Sequence, residues 1–322
     1  MSPIFSMGRS PYNDVENSTL YFDKMTLSVF ILVLISAIFH ATWNFAARKA
    51  AGNLVAMWLG LWIGCALVLP GVIGIVVHRG LPETVSAQAI ICIIATGLIH
   101  GVYFRLIAKG YEHGEISLVY PIARGSGIAL TAILASLFFK EYLALLGSIG
   151  IGLISAGIMT LSLAADKTIQ EKEPLEAKSS FPAPPRVIRL ALSAGATIVA
   201  YSLVDKIGVG HVNPVVYIWF MFLLAAVFLT PFVVRRYRGK LGQAARQYLG
   251  YAVVIGAGSI GTYLMILFAF TMGPVGYIVA VRELGVVLGA LAGMIFLKER
   301  FTIPKAIAIC TIVVGIMCIK ST

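Results

Sequence analysis

Of 322 residues, 59% are apolar and 12% charged, and mean hydropathy is +0.92. Soluble domains are nearer half apolar and a quarter charged, so this composition excludes an ordinary soluble enzyme, a disordered chain and a fibrous repeat, and it requires a bilayer. The net charge of +11, from 25 Lys+Arg against 14 Asp+Glu, does not by itself mark a nucleic-acid binder, because membrane proteins gather Lys and Arg on one side.

Residues 1–25 form a polar leader with no apolar stretch behind a basic start, so no secretory signal is expected there. Ten apolar stretches of spanning length follow, at 26–46, 54–77, 86–108, 115–139, 142–163, 187–206, 214–234, 248–271, 274–297 and 302–320. Lipid offers no partner to exposed backbone groups, so each stretch is expected to be a helix. Residues 166–186 are charged and proline-rich and form the only plausible linker. They separate a five-span repeat at 26–165 from another at 187–320.

The two repeats correspond at an offset of 158. Arg124 falls on Arg282, Gly127 on Gly285, Phe138 on Phe296, Lys140-Glu141 on Lys298-Glu299, and Trp43 on Tyr201. Matched charges at one fixed offset point to an internal duplication. Because five is odd, the second repeat enters the membrane from the opposite side. The predicted fold is therefore an all-α polytopic membrane protein of ten transmembrane helices in two inverted five-helix repeats. Secondary transporters built this way hold substrate near the bilayer midplane. Sixteen Lys and Arg flank the loops of one face and six flank the other face and the termini, so the positive-inside rule places both termini outside.

Charge inside a span costs about 2.5–3.5 kcal/mol on insertion scales and needs a reason. Arg124 lies roughly nine residues, or about 14 Å, into the fourth span, and Arg282 reaches a similar depth from the other side. One reading is a clamp for carboxylate or phosphate, whose oxygens match the guanidinium fork. The other pairs either arginine with Glu283 as an interhelical lock. Glu283, read as the only acid deep in a span, is a candidate for proton coupling or for that ion pair. His40, Asn44 and Arg48 lie on one stripe of the first span beside Trp43, and Thr197, Tyr201 and Asp205 repeat the stripe in the sixth. Trp43, Asn44 and Tyr201 are candidate pocket walls or members of an aromatic belt, and Asp205 and Lys206 are expected to be interfacial anchors. Tyr120 opens the fourth span and is a further candidate for the pocket. The four cysteines lie in apolar stretches, where packing is the expected role.

No phosphate-binding loop, H-E-x-x-H, G-x-S-x-G or Cys/His cluster occurs, so neither catalysis nor a cofactor or metal is expected.

His40-Ala-Thr-Trp43-Asn44, Val119-Tyr120-Pro121-Ile-Ala-Arg124-Gly125, and the Lys140-Glu141 and Lys298-Glu299 pairs resemble the drug/metabolite transporter superfamily, EamA type, over residues 26–320. The resemblance implies ten helices and export of amino acids or other metabolites, with more distant relatives exchanging sugar phosphates or nucleotide sugars. It also implies cytoplasmic termini, opposite to the charge count. The small multidrug branch carries a buried Glu in its first span, and none stands at 26–46. The expectation is a permease or exporter in the plasma (inner) membrane that moves a small anionic or zwitterionic metabolite by alternating access. Its partners would be the bilayer, the solute and protons, but not nucleic acid. Alternatives are a flippase for lipid-linked substrates, a non-transporting assembly partner, or a lipid-modifying enzyme.

Overall fold

The computed structural model describes residues 25–50, 53–80, 85–113, 116–170, 185–296 and 302–322. The leader 1–24, most of the linker (171–184) and the Lys298-Glu299 pair lie outside the described residues, as do the side chains of Arg48, Tyr120, Gly293 and Phe296. The described residues fold into eleven helices: α1 (Leu27–Lys49), α2 (Leu54–Arg79), α3 (Ala87–His113), α4 (Ile116–Phe138), α5 (Leu145–Gln170), α6 (Pro185–Gly208), α7 (Pro214–Arg236), α8 (Leu241–Phe270), α9 (Val275–Arg282), α10 (Leu284–Phe296) and α11 (Ile303–Lys320). Among the described residues, eight segments are long and apolar enough to cross a membrane. Ile122–Phe138 and Leu145–Leu161 are shorter apolar helices.

Local chemistry sets several of the boundaries. Asn53 and Asn213 cap α2 and α7 in the same way, each side chain accepting a hydrogen bond from the backbone N–H two residues on, at 2.9 Å. The two caps are 160 residues apart, so the second helices slip by two from the 158 offset. Pro70 and Pro231 sit inside these helices, and basic residues (His78 and Arg79, Arg235 and Arg236) occupy their last turns. Helix α8 starts seven residues before the expected 248, because the stretch Leu241-Gly-Gln-Ala-Ala-Arg-Gln contains good helix formers and extends the helix past the apolar core.

The ninth apolar stretch is not one helix. It breaks at Glu283, where the Glu283 N–H donates to Ala280 O at 3.1 Å and the Val286 N–H to Glu283 O at 2.9 Å. These three-residue bonds tighten the backbone to a 3₁₀ turn, a geometry that mid-helix often marks a hinge. All eight residues of α9 are buried.

Helix α1 packs on α8, and α3 on α6. Helix α2 packs on α8, and α3 on α7. Helix α4 packs on α6, while α9 and α10 pack on α1. Helix α5 lies along α11, and α2 along α7. Glycines bring backbones together at these crossings. A Cβ on Gly150 would meet Gly315 O at 2.5 Å, and one on Gly256 would meet Gly60 O at 2.5 Å. The outside of the bundle is apolar, with Val77, Leu137, Ile295 and Ile303 exposed, whereas the polar side chains His40, Arg124, Asp205, Arg282 and Glu283 are buried. This inversion of the soluble pattern is what lipid as solvent demands. Cys65 and Cys92 are buried as expected, but Cys310 lies on an exposed face of α11.

Candidate functional site

Among the described residues, two polar clusters lie in the interior beside the break in the ninth stretch. The first is built where α4, α1 and the α9–α10 break meet. Arg124 donates from Nη1 to Glu283 Oε1 at 2.9 Å, and its Nη2 lies 3.2 Å from His40 Nε2. A guanidinium has donors only, so His40 Nε2 is the acceptor and its ring proton sits on Nδ1. Arg282 Nη2 approaches the same Glu283 oxygen at 3.5 Å. Arg124, Arg282 and Glu283 are 4%, 2% and 0% exposed. Two guanidiniums thus share one carboxylate. Among the described residues, Nε and Nη2 of Arg282 and Oε2 of Glu283 make no hydrogen bond. Trp43 meets the His40 ring edge-on at 5.3 Å between centroids, and its buried indole Nε1 likewise has no hydrogen-bond acceptor among the described residues.

The second cluster lies between α3, α6, α7 and α8. Asp205, fully buried, accepts from Tyr217 Oη at 2.8 Å and from the Tyr263 hydroxyl, and Thr96 faces the same carboxylate. His100 stacks on Tyr201 at 4.2 Å and meets Tyr263 edge-on at 5.4 Å. Tyr201 also sits edge-on to Tyr103 and Tyr263, each at 6.0 Å. Arg282 interacts electrostatically with His40 in the first cluster and with His100, Asp205 and Tyr263 in the second, which makes it the link between them.

The structure therefore brings Arg124, Arg282, Glu283 and Trp43 together and places Tyr201 in the neighbouring aromatic cluster. Asn44 spends its amide on His40 O, one turn back, at 2.7 Å. The side chain of Tyr120 lies outside the described residues. Asp205 corrects the expectation of an interfacial anchor, and Glu283 is not the only deep acid. Although Asp205 sits one turn from the end of α6, the tyrosines of α7 and α8 close over it. A signal for Asp205 was present in the sequence, since its counterpart at offset 158 is Ala47, and an acid in a span where the matching position is apolar calls for a specific partner.

Lys206, also expected at the interface, instead ties three segments together. It donates to Phe270 O at 2.7 Å and Gly273 O at 3.0 Å, and it stands 3.7 Å from Glu141 Oε1. Glu141 in turn accepts from the Val275 N–H, at 3.1 and 2.9 Å to its two oxygens, and so caps the start of α9. Glu141 lies in the connection between α4 and α5. Burial pushes its carboxyl above the ordinary range, while Lys206 and the Val275 N–H pull it back.

This arrangement, apolar outside with a buried ionic interior around a broken helix, is that of an integral multi-pass membrane protein. Residues 186–321 match the EamA-like transporter family, which supports the resemblance to the drug/metabolite transporter superfamily. The uncharacterized membrane protein YvaE of Bacillus subtilis is 25% identical over 114 residues, covering 35% of this chain and 91% of that protein. The uncharacterized protein y4nH of Sinorhizobium fredii is 37% identical over 65 residues, 20% of this chain and 56% of that one. The quaternary ammonium compound-resistance protein QacC of Staphylococcus aureus is 27% identical over 70 residues, 22% of this chain and 65% of that one. A solved crystal structure matches with a TM-score of 0.67 at 14% identity, covering 91% of this chain and 96% of its own, and so shares the fold.

Proposed function

We propose that the chain is a secondary transporter, a permease or exporter that moves a small anionic or zwitterionic metabolite, such as an amino acid or organic acid, across the plasma membrane by alternating access. The observation that carries this reading is the charge balance of the first cluster. Arg124 and Arg282 contribute two positive charges, Glu283 contributes one negative, and Arg282 keeps donor atoms unspent. A solute carboxylate would supply the missing charge and accept those bonds. Trp43 would offer its indole N–H beside it, and Tyr201 would form the wall toward the second cluster. Asn44 and Tyr120 would shape the pocket from α1 and α4.

The architecture proposed with it is ten spans in two inverted repeats, 26–165 and 187–320. Helix pairs that exchange under the offset are packed alike: α1 on α8 with α6 on α3, and α4 on α6 with α9 and α10 on α1. A relative matched over 91% of its length by only 35% of this chain is also what a duplicated unit would give. The break at Glu283 fits a site formed by a discontinuous helix. The QacC relative is named for resistance to quaternary ammonium compounds. Here the buried cluster is net positive and α1 has no acid, which disfavours a cationic substrate.

Counterflow in proteoliposomes with a panel of radiolabelled amino acids and organic acids tests the reading. Flux of at least one anionic or zwitterionic solute is expected, abolished by Arg124→Ala and by Arg282→Ala with membrane insertion intact. Normal flux in both variants would remove the clamp.

A further inference from the structure

We propose that Asp205, in its cradle of Tyr217 and Tyr263, is the proton-binding group that couples this transporter to the proton gradient. This deepens the transport reading above and moves the coupling site away from Glu283.

The carboxylates of the two interior clusters differ in what surrounds them. Glu283 lies between two guanidiniums, 2.9 and 3.5 Å away, which provide its counter-charge. Asp205 is equally buried, but no Lys or Arg among the described residues lies within ion-pair distance of it, and its direct partners are hydroxyls. A guanidinium only donates and so suits a carboxylate alone. A tyrosine hydroxyl donates to a carboxylate and, on rotation, accepts from a carboxylic acid. The cradle therefore satisfies Asp205 in either protonation state, as a group that repeatedly gains and loses a proton requires.

The groups facing it are mostly uncharged. From α7 comes Tyr217, from α8 Tyr263, from α3 Cys92 and Thr96 with His100 behind them, and from its own helix Tyr201. From α4, Arg124 is directed to Glu283 and His40. Among the described residues the cation that acts on Asp205 is Arg282 of α9, at longer range, and Arg282 is also half of the proposed substrate clamp.

That placement sets the sign of the coupling. With Asp205 ionised, Arg124, Arg282, Glu283 and Asp205 sum to zero, and an arriving anion meets no net attraction. When Asp205 takes a proton, an O–H bond forms at its carboxylate and the sum becomes +1, so one anionic group can enter beside Arg282. Proton and anion therefore favour each other's binding, and linkage makes the effect reciprocal. A monoanion carried with one proton crosses without net charge. The coupling is co-transport of anion and proton, not exchange.

Infrared titration of the full chain reconstituted in liposomes, without substrate, tests the site independently of transport; Glu141→Gln is the reference protein and the background of every variant, because the buried Glu141 carboxyl is also held above the ordinary range. The expected result is one carbonyl stretch of a protonated carboxyl that disappears between mildly acidic and mildly alkaline pH, absent in Asp205→Asn and present in Glu283→Gln. Arg282→Gln should raise the proton affinity of the same group at least about tenfold, since it removes the cation that favours the ionised form. Tyr217→Phe and Tyr263→Phe keep the carboxyl and should each shift the titration in that same direction, which keeps the test open if Asp205→Asn does not fold. In that background, a stretch that survives in Asp205→Asn, is lost in Glu283→Gln, is missing from the reference protein, or is unmoved in Arg282→Gln or in both tyrosine variants would overturn the proposal. Failure of the counterflow assay with this titration intact would instead count against the transport reading.

Discussion

Gly127 and Gly285, 158 residues apart, each sit at a close crossing with another helix, against residues that are themselves 158 apart. A Cβ on Gly127 would lie 3.1 Å from Ile198 Cβ and 3.3 Å from Gly195 O, and one on Gly285 would lie 2.9 Å from His40 Cδ2 and 3.1 Å from Ala37 O. His40 and Ile198 are themselves 158 apart, as are Ala37 and Gly195. The backbone crossing is repeated while the side chain that fills it is not. Arg124 finds an imidazole acceptor in His40, whereas the residue 158 positions after His40 is the aliphatic Ile198, which offers no acceptor. Glu283 stands where the first half has Gly125, and Asp205 where it has Ala47. Every acid of the interior clusters therefore comes from the second half, and this asymmetry gives the two arginines different environments.

Gly285→Ala should act through His40. The added methyl would push the imidazole, whose Nε2 is held 3.2 Å from Arg124, because the other near neighbour is backbone that cannot yield. The expected result is normal insertion, a stability loss of about 1–3 kcal/mol from overpacking, and flux reduced together with that of His40→Ile. Gly127→Ala meets only the Ile198 side chain and a carbonyl at longer range, so its flux should remain closer to wild type. Counterflow on matched amounts of reconstituted protein compares the three. Equal flux in Gly285→Ala and Gly127→Ala would show that His40 does not need its position.

Glu283→Gln leaves two buried guanidiniums without their shared anion. Removing one partner from a buried pair typically costs about 3–5 kcal/mol, and here one carboxylate serves both Arg124 and Arg282. Thermal unfolding of the purified protein should show a large fall for this variant. Arg124→Gln/Glu283→Gln together should be less destabilised than the sum of the two single changes, because the first change has already removed the interaction that the second would break. Additive losses would mean that the 2.9 Å pair carries little energy.

The helical fold was legible because apolar runs near 20 residues leave few alternatives, and Arg124, Arg282 and Glu283 were legible because charge in a span is costly. The break at Glu283 was not, since no proline interrupts Val275–Phe296 and the kink comes from a three-residue hydrogen-bond turn. Asn44 shares the helical stripe of His40, but an amide can turn back on its own helix, and here it does. Tyr217 and Tyr263 lie in apolar helices near their ends, where tyrosine ordinarily marks the lipid interface. Only the three-dimensional crossing of α6, α7 and α8 turns both hydroxyls onto Asp205.

The Glu141–Lys206 contact predicts how stability depends on pH. Burial holds the Glu141 carboxyl above the ordinary range, so the folded protein keeps this proton to higher pH than the unfolded chain does. Over that window the folded state binds more protons, and stability falls as pH rises through it. Below the ordinary carboxylate range both states are protonated and the slope vanishes. Glu141→Gln removes the titrating group while keeping an oxygen for the Val275 N–H, so it should flatten the decline on the mildly acidic side, by up to about 1.4 kcal/mol for each pH unit that separates the two states. Lys206→Met should steepen it, since it takes away the cation 3.7 Å from the carboxylate and pushes the carboxyl higher still. Unfolding midpoints measured across pH for the three proteins give the slopes. A wild-type stability that rises through this window because of Glu141, or a Lys206→Met slope no steeper than wild type, would show that the ion pair outweighs burial at this position.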